Sequence, residues 1–242
     1  MQTRGKRSAG SSAKLPIPDS VTALALRELH VYEDMASHSA AMQMAVDEAL
    51  FASATAPALR FYHWRQPSLS FGYFGRFADV AAEAGQRELV RRWTGGGLVL
   101  HGNDLTYSLV LPPSYLPTGC SARAVYSSVH AALVEALAGA GKIELAARDA
   151  PKVSDACFAN PVTADVLADG RKIAGAAQRR TRAGLLQQGS VQFNQLPVNF
   201  TVRFATALCP RFEHRGLDLR LLHRAEALAA EKYATAAWLH RH

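Results

Sequence analysis

Cysteine is scarce in this chain. The 242 residues hold Cys120, Cys157 and Cys209, widely spaced, with no CxxC pair and no His/Cys set at zinc-ligand spacing. A disulfide framework is therefore excluded, and reduced thiols in a cytoplasmic protein are expected. No apolar run approaches the ~20 residues that cross a bilayer, so no membrane span is expected. The opening MQTRGKRSAGSSAK is basic but lacks the apolar core of a signal peptide. Also missing are the GK[ST] ending of a phosphate-binding loop, a GxGxxG opening a helix, HExxH and the GxSxG elbow. Their absence sets aside the common nucleotide, zinc-protease and serine-hydrolase sites.

Charge gives little more. Formal net charge is +7, but Arg4, Lys6, Arg7 and Lys14 stand in the first residues with no acid among them, so the rest keeps only +3. That excess is too small to indicate nucleic acid, and it suits a small acidic protein partner equally well. Residues 1–18 read as a disordered basic tail and 19–242 as one catalytic-type domain. At 49% hydrophobic and 19% charged, the composition is that of a globular protein.

What is present centres on residues 91–108, RRWTGGGLVLHGNDLTYS. Three glycines between strand-like segments let the backbone approach a ligand and leave successive N–H groups able to bind an anion or a polarised carbonyl. A GGG alone is more often a surface turn, but Arg91 and Arg92 before it and His101 after it favour a binding site.

Around this stretch, helical spacing of Met42, Ala45, Val46, Ala49 and Leu50 predicts a helix over about 39–53, with Asp47 and Glu48 toward its polar side. LRFYHW and PSLSFGYF read as strands around Gln66–Pro67, residues 77–88 as a helix, and VRRWT as a strand. LVLHGNDLTYSLVLPP reads as one bulged strand or two strands meeting near Gly102–Asp104. Residues 122–139 are the clearest helix, with His130 packed or solvated inside it. Asp169–Gly170 is a hairpin signal between strand-like arms, LLQQGSVQF pairs back after Arg182–Gly184, and the chain from about 221 is helical. The pattern predicts a single α+β domain with a mixed, largely antiparallel sheet flanked by helices.

Two side chains could carry chemistry. Lys172 beside the hairpin would ordinarily be solvated, yet Ile173, Ala174, Gly175 and Ala176 are small or apolar and would admit a ligand whose carbonyl or phosphate oxygen the lysine could bind. Cys157 lies in a polar loop. Brought near Lys172 and His101 it would gain thiolate character and become a nucleophile for acyl transfer; otherwise it is a small buried side chain. Cys209, among apolar neighbours, reads as a buried thiol.

Taken together, RRWTGGGLVLHGNDLTYS, ACFANP, ADVLADGRKIAGAAQRR and LLQQGSV resemble, in this order, the biotin/lipoate protein ligase superfamily over roughly residues 39–200. The likeness is greatest to the cysteine-dependent octanoyltransferases of lipoate assembly, while lipoate–protein ligases share the glycine and GRKIAG segments. The resemblance implies a mixed sheet flanked by helices with the acyl chain beside it. It implies Cys157 as acyl-accepting nucleophile, Lys172 at the carbonyl, and Gly95, Gly96 and Gly97 around the acyl group and oxyanion. It implies that the RRWTGGG and GRKIAG segments line the acyl site, with Arg92, His101, Gly175 and Gln178 as matched substrate-binding positions, those of His101 and Gln178 without an assigned individual role. Gly75, Gly97 and Gly102 depart from the pattern, standing where glutamine, arginine and an acidic residue are common.

The implied activity moves an octanoyl (or lipoyl) group from a carrier thioester through a cysteine thioester to a lysine of a lipoyl-domain protein. The donor would be acyl carrier protein or an octanoylated lipoyl-domain protein. The acceptor would be a glycine cleavage H protein or a dehydrogenase E2. That route needs no cofactor and no metal. The alternative, an ATP-dependent lipoate–protein ligase acting through an acyl-adenylate, would use ATP and Mg. A non-catalytic binding protein on the same fold is a third reading.

Overall fold

The computed structural model describes Leu24, residues 26–151, Phe158 and residues 160–241. The basic tail and Cys157 lie outside the described residues.

Eleven strands form two sheets among these residues. They are β1 (His30–Asp34), β2 (Ala58–Tyr62), β3 (Ser68–Phe71), β4 (Glu88–Arg91), β5 (Leu98–His101), β6 (Leu105–Leu111), β7 (Ile143–Leu145), β8 (Val166–Ala168), β9 (Arg171–Thr181), β10 (Gly184–Val191) and β11 (Glu213–His214). The helices are α1 (Ala40–Ser53), α2 (Ala122–Ala136), α3 (Phe200–Leu208), α4 (Leu219–Leu228) and α5 (Ala236–Leu239), with a π-helical turn at Ala229–Tyr233.

The large sheet runs β11-β1-β2-β6-β10-β9-β8-β7, and the small one β4-β3-β5. In the large sheet β1 is parallel to both β11 and β2, and every other pairing is antiparallel. In the small sheet β3 is parallel to β4 and antiparallel to β5. The sheet is thus mixed and largely antiparallel, and no helix among the described residues is long and apolar enough to cross a membrane.

Strand alternation explains the layering. Leu59 and Phe61 of β2 join Leu109 of β6 and Leu185 of β10 in a core with α2 and α3. The intervening Ala58 and Tyr62 meet α1, as do Val110 and Leu186. With helices on both faces, β2, β6 and β10 are buried along their whole length. Serine and aspartate start the helices: Ser39, Ser121 and Asp218 each accept a hydrogen bond from a backbone N–H three residues on.

Two expectations need correction, and one alternative is decided. Residues 77–88 form two single 3₁₀ turns, Phe77–Asp79 and Ala81–Glu83, because Val80 sits at φ −124°, ψ 0° and Gly85 at φ +89°, both outside the helical region. Of the two readings for the stretch after the glycines, the two-strand one holds: β5 and β6 meet around Gly102–Asp104 and belong to different sheets. Asp47 does not face solvent. It is fully buried on α1, where it takes hydrogen bonds from Arg60, Ser108 and Gln188. The Asp169–Gly170 turn forms as expected, both residues at positive φ (48° and 78°).

Candidate active site

Between the α1 face of the large sheet and the small sheet lies a cleft whose empty space, counted out into open solvent, is about 490 Å³. Met44 of α1 and Gln188 and Ser190 of β10 line one side; Ser70, Val99, His101 and Gly96 line the other, and Lys172 and Gly175 of β9 complete it.

A β-bulge sets the lysine. In the β8–β9 pairing Leu167 faces Lys172 but Val166 faces Ala174, so β9 carries one extra residue. Ile173 and Ala174 therefore both turn into the α2–α3 core, while Lys172 and Gly175, three apart, both reach the cleft. A regular strand would have sent residues 172 and 175 to opposite faces. Lys172 Nζ lies 2.8 Å from Asp165 Oδ2, with the side chains 6% and 0% exposed. Asp165 also accepts from Val162 N at 2.7 Å and from the Tyr126 hydroxyl. The Phe158 ring, next in sequence after Cys157, lies 5.3 Å from Lys172 Nζ and lines the same cleft.

Sequence reasoning missed Asp165 and Tyr126. The hairpin itself held the clue to Asp165: folding at Asp169–Gly170 pairs Leu167 with Lys172 and carries the residues just before Leu167 toward the lysine.

Arg92 shapes the glycine loop. Its Nη2 donates to the carbonyls of Gly95 (3.0 Å) and Gly97 (2.8 Å), and its Nη1 to Ser70 Oγ (2.7 Å). Gly95 N donates to Gln178 O at 3.4 Å. Thr94 Oγ1 donates to Gln188 Oε1, and Gln188 donates to the buried Asp47 (2.7 Å each). Close packing behind the loop requires Gly72, where a β-carbon would sit 2.0 Å from Gly96 O.

His101 is buried under Trp64, the rings stacked with centroids 4.0 Å apart. Its Nδ1 lies 2.8 Å from Asp104 Oδ2, and its Nε2 2.6 Å from Ser70 Oγ. The acidic neighbour absent at Gly102 is thus supplied by Asp104, which also accepts from Gly102 N (3.1 Å), Thr106 (3.0 Å) and Ser190 (2.6 Å). Burial pushes the His101 pKa down, reinforced by the nearby charges of Arg92 and Arg87 and opposed by Asp104. Burial alone would raise Asp104, but hydrogen bonds from His101, Ser190 and Gly102 N outweigh it and hold the carboxyl below its usual range.

Of the sequence-derived candidates, Arg92, Gly96, His101, Lys172 and Gly175 line the cleft. Gly95, Gly97 and Gln178 support its wall from behind; the Gln178 amide donates to Gln187 Oε1 at 2.6 Å. Cys209 is fully buried, with Sγ against Arg211 O, and Cys120 is half-buried against Ser121 O. Among the described residues no group of three or more His, Cys, Asp or Glu could hold a metal ion.

A mixed sheet flanked by helices matches the catalytic fold of lipoate protein ligases. The chain belongs to the lipoyl protein ligase A/B catalytic domain family, whose model matches residues 39–205. It is 37% identical over 176 residues to an octanoyltransferase LipM of Oceanobacillus iheyensis, an alignment covering 69% of this chain and 64% of that protein. To the octanoyltransferase LipM of Kyrpidia tusciae it is 36% identical over 228 residues, covering 82% of this chain and 83% of the relative. Among solved structures, the bipartite lipoate protein ligase of Thermoplasma acidophilum shares the fold at a TM-score of 0.62 and 21% identity, over 88% of this chain and 96% of that one.

Proposed function

We propose that this protein is an acyltransferase of lipoate assembly. It moves an octanoyl (or lipoyl) group from a carrier thioester, through a thioester on Cys157, to a lysine of a lipoyl-domain protein. The observation that carries this reading is the buried Lys172–Asp165 pair at one end of the cleft, 5.3 Å from the ring of Phe158, the residue that follows Cys157. The octanoyltransferase names of relatives at 33–37% identity support it.

In the first step the Cys157 thiolate attacks the carbonyl carbon of the donor thioester. The new S–C bond forms as the donor C–S bond breaks, and the carrier leaves as its thiol after taking a proton. In the second step the neutral ε-amine of the acceptor lysine attacks the Cys157 thioester. The amide C–N bond forms, the Cys157 thiolate leaves, and the amine's extra proton passes to that sulfur or to water. The Lys172 ammonium would face the oxyanion in both steps, and its pairing with Asp165 fixes its position before substrate arrives. The thioester bond supplies the driving force, so ATP and Mg are not required. Acyl carrier protein, or an octanoylated lipoyl-domain protein, fits as donor; a glycine cleavage H protein or dehydrogenase E2 domain fits as acceptor.

Intact-protein mass spectrometry after mixing with octanoyl-acyl carrier protein, without ATP, tests the reading. A gain of one octanoyl mass that is lost in Cys157→Ala is expected. No adduct, together with pyrophosphate release from ATP and free lipoate, would replace it with the ligase reaction.

A further inference from the structure

We infer that Ser70, His101 and Asp104 form a positioning relay that acts through Arg92 to set the shape of the glycine loop. The inference rests on the acyltransferase reading only in taking that loop as part of the acyl site.

The relay is a continuous line of hydrogen bonds with a determined direction. Arg92 can only donate, so Ser70 Oγ accepts its Nη1 at 2.7 Å. Asp104, ionised, can only accept, so His101 donates from Nδ1 at 2.8 Å. In a neutral imidazole Nε2 is then a lone pair, and the Ser70 hydroxyl donates its proton there across 2.6 Å. At the far end Arg92 holds the carbonyls of Gly95 and Gly97. Every member is buried, from 0% exposed at Ser70 to 6% at His101. One carboxylate just ahead of β6 therefore fixes, through three intervening side chains, the backbone that walls the cleft.

The same spacing would suit a hydrolase triad, with Ser70 as nucleophile. Its bonds argue against it: Ser70 borders the cleft but has no exposed surface, and its oxygen is held by the Arg92 guanidinium, which would oppose its use as a nucleophile. Its place is structural support of a binding loop. The groups facing His101 agree with a neutral ring. Trp64 stacks on it, Arg92 and Arg87 set positive charge near it, and Asp104 is the carboxylate that meets it. An imidazolium could not accept from Ser70 and would repel Arg92.

Two measurements test the relay. In native protein with ¹⁵N-labelled histidine, the resonances lost in His101→Gln identify His101. They should show protonated Nδ1 and bare Nε2 at pH 6.5, where an ordinary histidine is about half protonated. An Nε2–H tautomer or an imidazolium there would overturn the inference, whatever the enzyme's activity. In single-turnover acylation by octanoyl-acyl carrier protein, Ser70→Ala should raise the half-saturating donor concentration about tenfold while the maximal rate stays within about threefold, because binding rather than chemistry is disturbed. Native-like half-saturation in folded Ser70→Ala would also overturn it. A native protein that takes no octanoyl would instead sink the transferase reading, and the histidine spectra would still decide the relay.

Discussion

Lys172 rests directly against Gly175: a β-carbon built at residue 175 would lie 2.7 Å from Lys172 Nζ and 3.2 Å from Asp165 Oδ1. The space for the ion pair exists because residue 175 has no side chain.

Gly175→Ala is therefore expected to push Lys172 away from its place while leaving the strand intact. Misplacing a catalytic group by about 1 Å costs on the order of 100-fold in rate. The maximal rate of acylation should fall at least tenfold, and the thermal midpoint should move by only a few degrees. Single-turnover kinetics beside a melting curve check both.

Breaking the pair from one side takes the carboxylate away from a buried ammonium. Asp165→Ala should cost about 3–5 kcal/mol of stability, since Lys172 would stay buried without its carboxylate. Removing both charges, as in Asp165→Leu with Lys172→Met, should cost less than Asp165→Ala alone, although activity is lost in each case. Urea unfolding of the native protein, Asp165→Ala and the double variant tests this.

His130 gives the fold an acid-side weakness. It is fully buried on α2, with Nδ1 2.6 Å from Ala164 O and Nε2 without a partner among the described residues, and burial lowers its pKa to about 4. The unfolded chain, with an ordinary value near 6.5, binds the proton first. Its contribution is fully present above about pH 6.5 and is lost as pH falls toward 4, by about 3 kcal/mol in all. His130→Gln should flatten the pH dependence of unfolding free energy within that window. A slope unchanged by the substitution would refute the assignment.

Arg91 ties the glycine-loop strand to residues 238–241. Its guanidinium donates to the carbonyls of Trp238 (2.9 Å) and Leu239 (2.9 Å), to that of Arg241, and to those of Tyr73 and Gly75. A lysine offers a point charge and no planar fork. Arg91→Lys should speed amide exchange at least tenfold across α5 while β2, β6 and β10 stay protected, as hydrogen-exchange mass spectrometry would show.

The sequence carried the outline of this molecule where its signals were local. Periodicity placed α1 and α2, the Asp169–Gly170 pair announced the β8–β9 hairpin, and the glycine run marked the cleft wall. It was less legible where partners are distant or a count slips by one. Asp47 read as surface because nothing near it in sequence reveals Arg60 or Gln188. Helix α3 was not anticipated, although Phe200, Phe204 and Leu208 keep helical spacing and are buried. The bulge at Ile173 is silent in composition, yet it decides which side of the sheet receives Lys172. Ser70, Asp104, Tyr126 and Asp165 are ordinary residues in ordinary strings, and the fold alone makes neighbours of them and the candidates found by motif.

The bonds from Arg91 to Trp238 and Arg241 join positions 147 and 150 residues apart in sequence. A closure that long is unfavourable until most of the intervening chain is already in place. During synthesis, the strand leading into the glycine loop must wait for a segment made much later before its buried guanidinium is fully satisfied. The wall of the cleft is thus among the last parts of the molecule to be finished, and a partly made chain is expected to hold α1, α2, α3 and its central strands before that wall is complete.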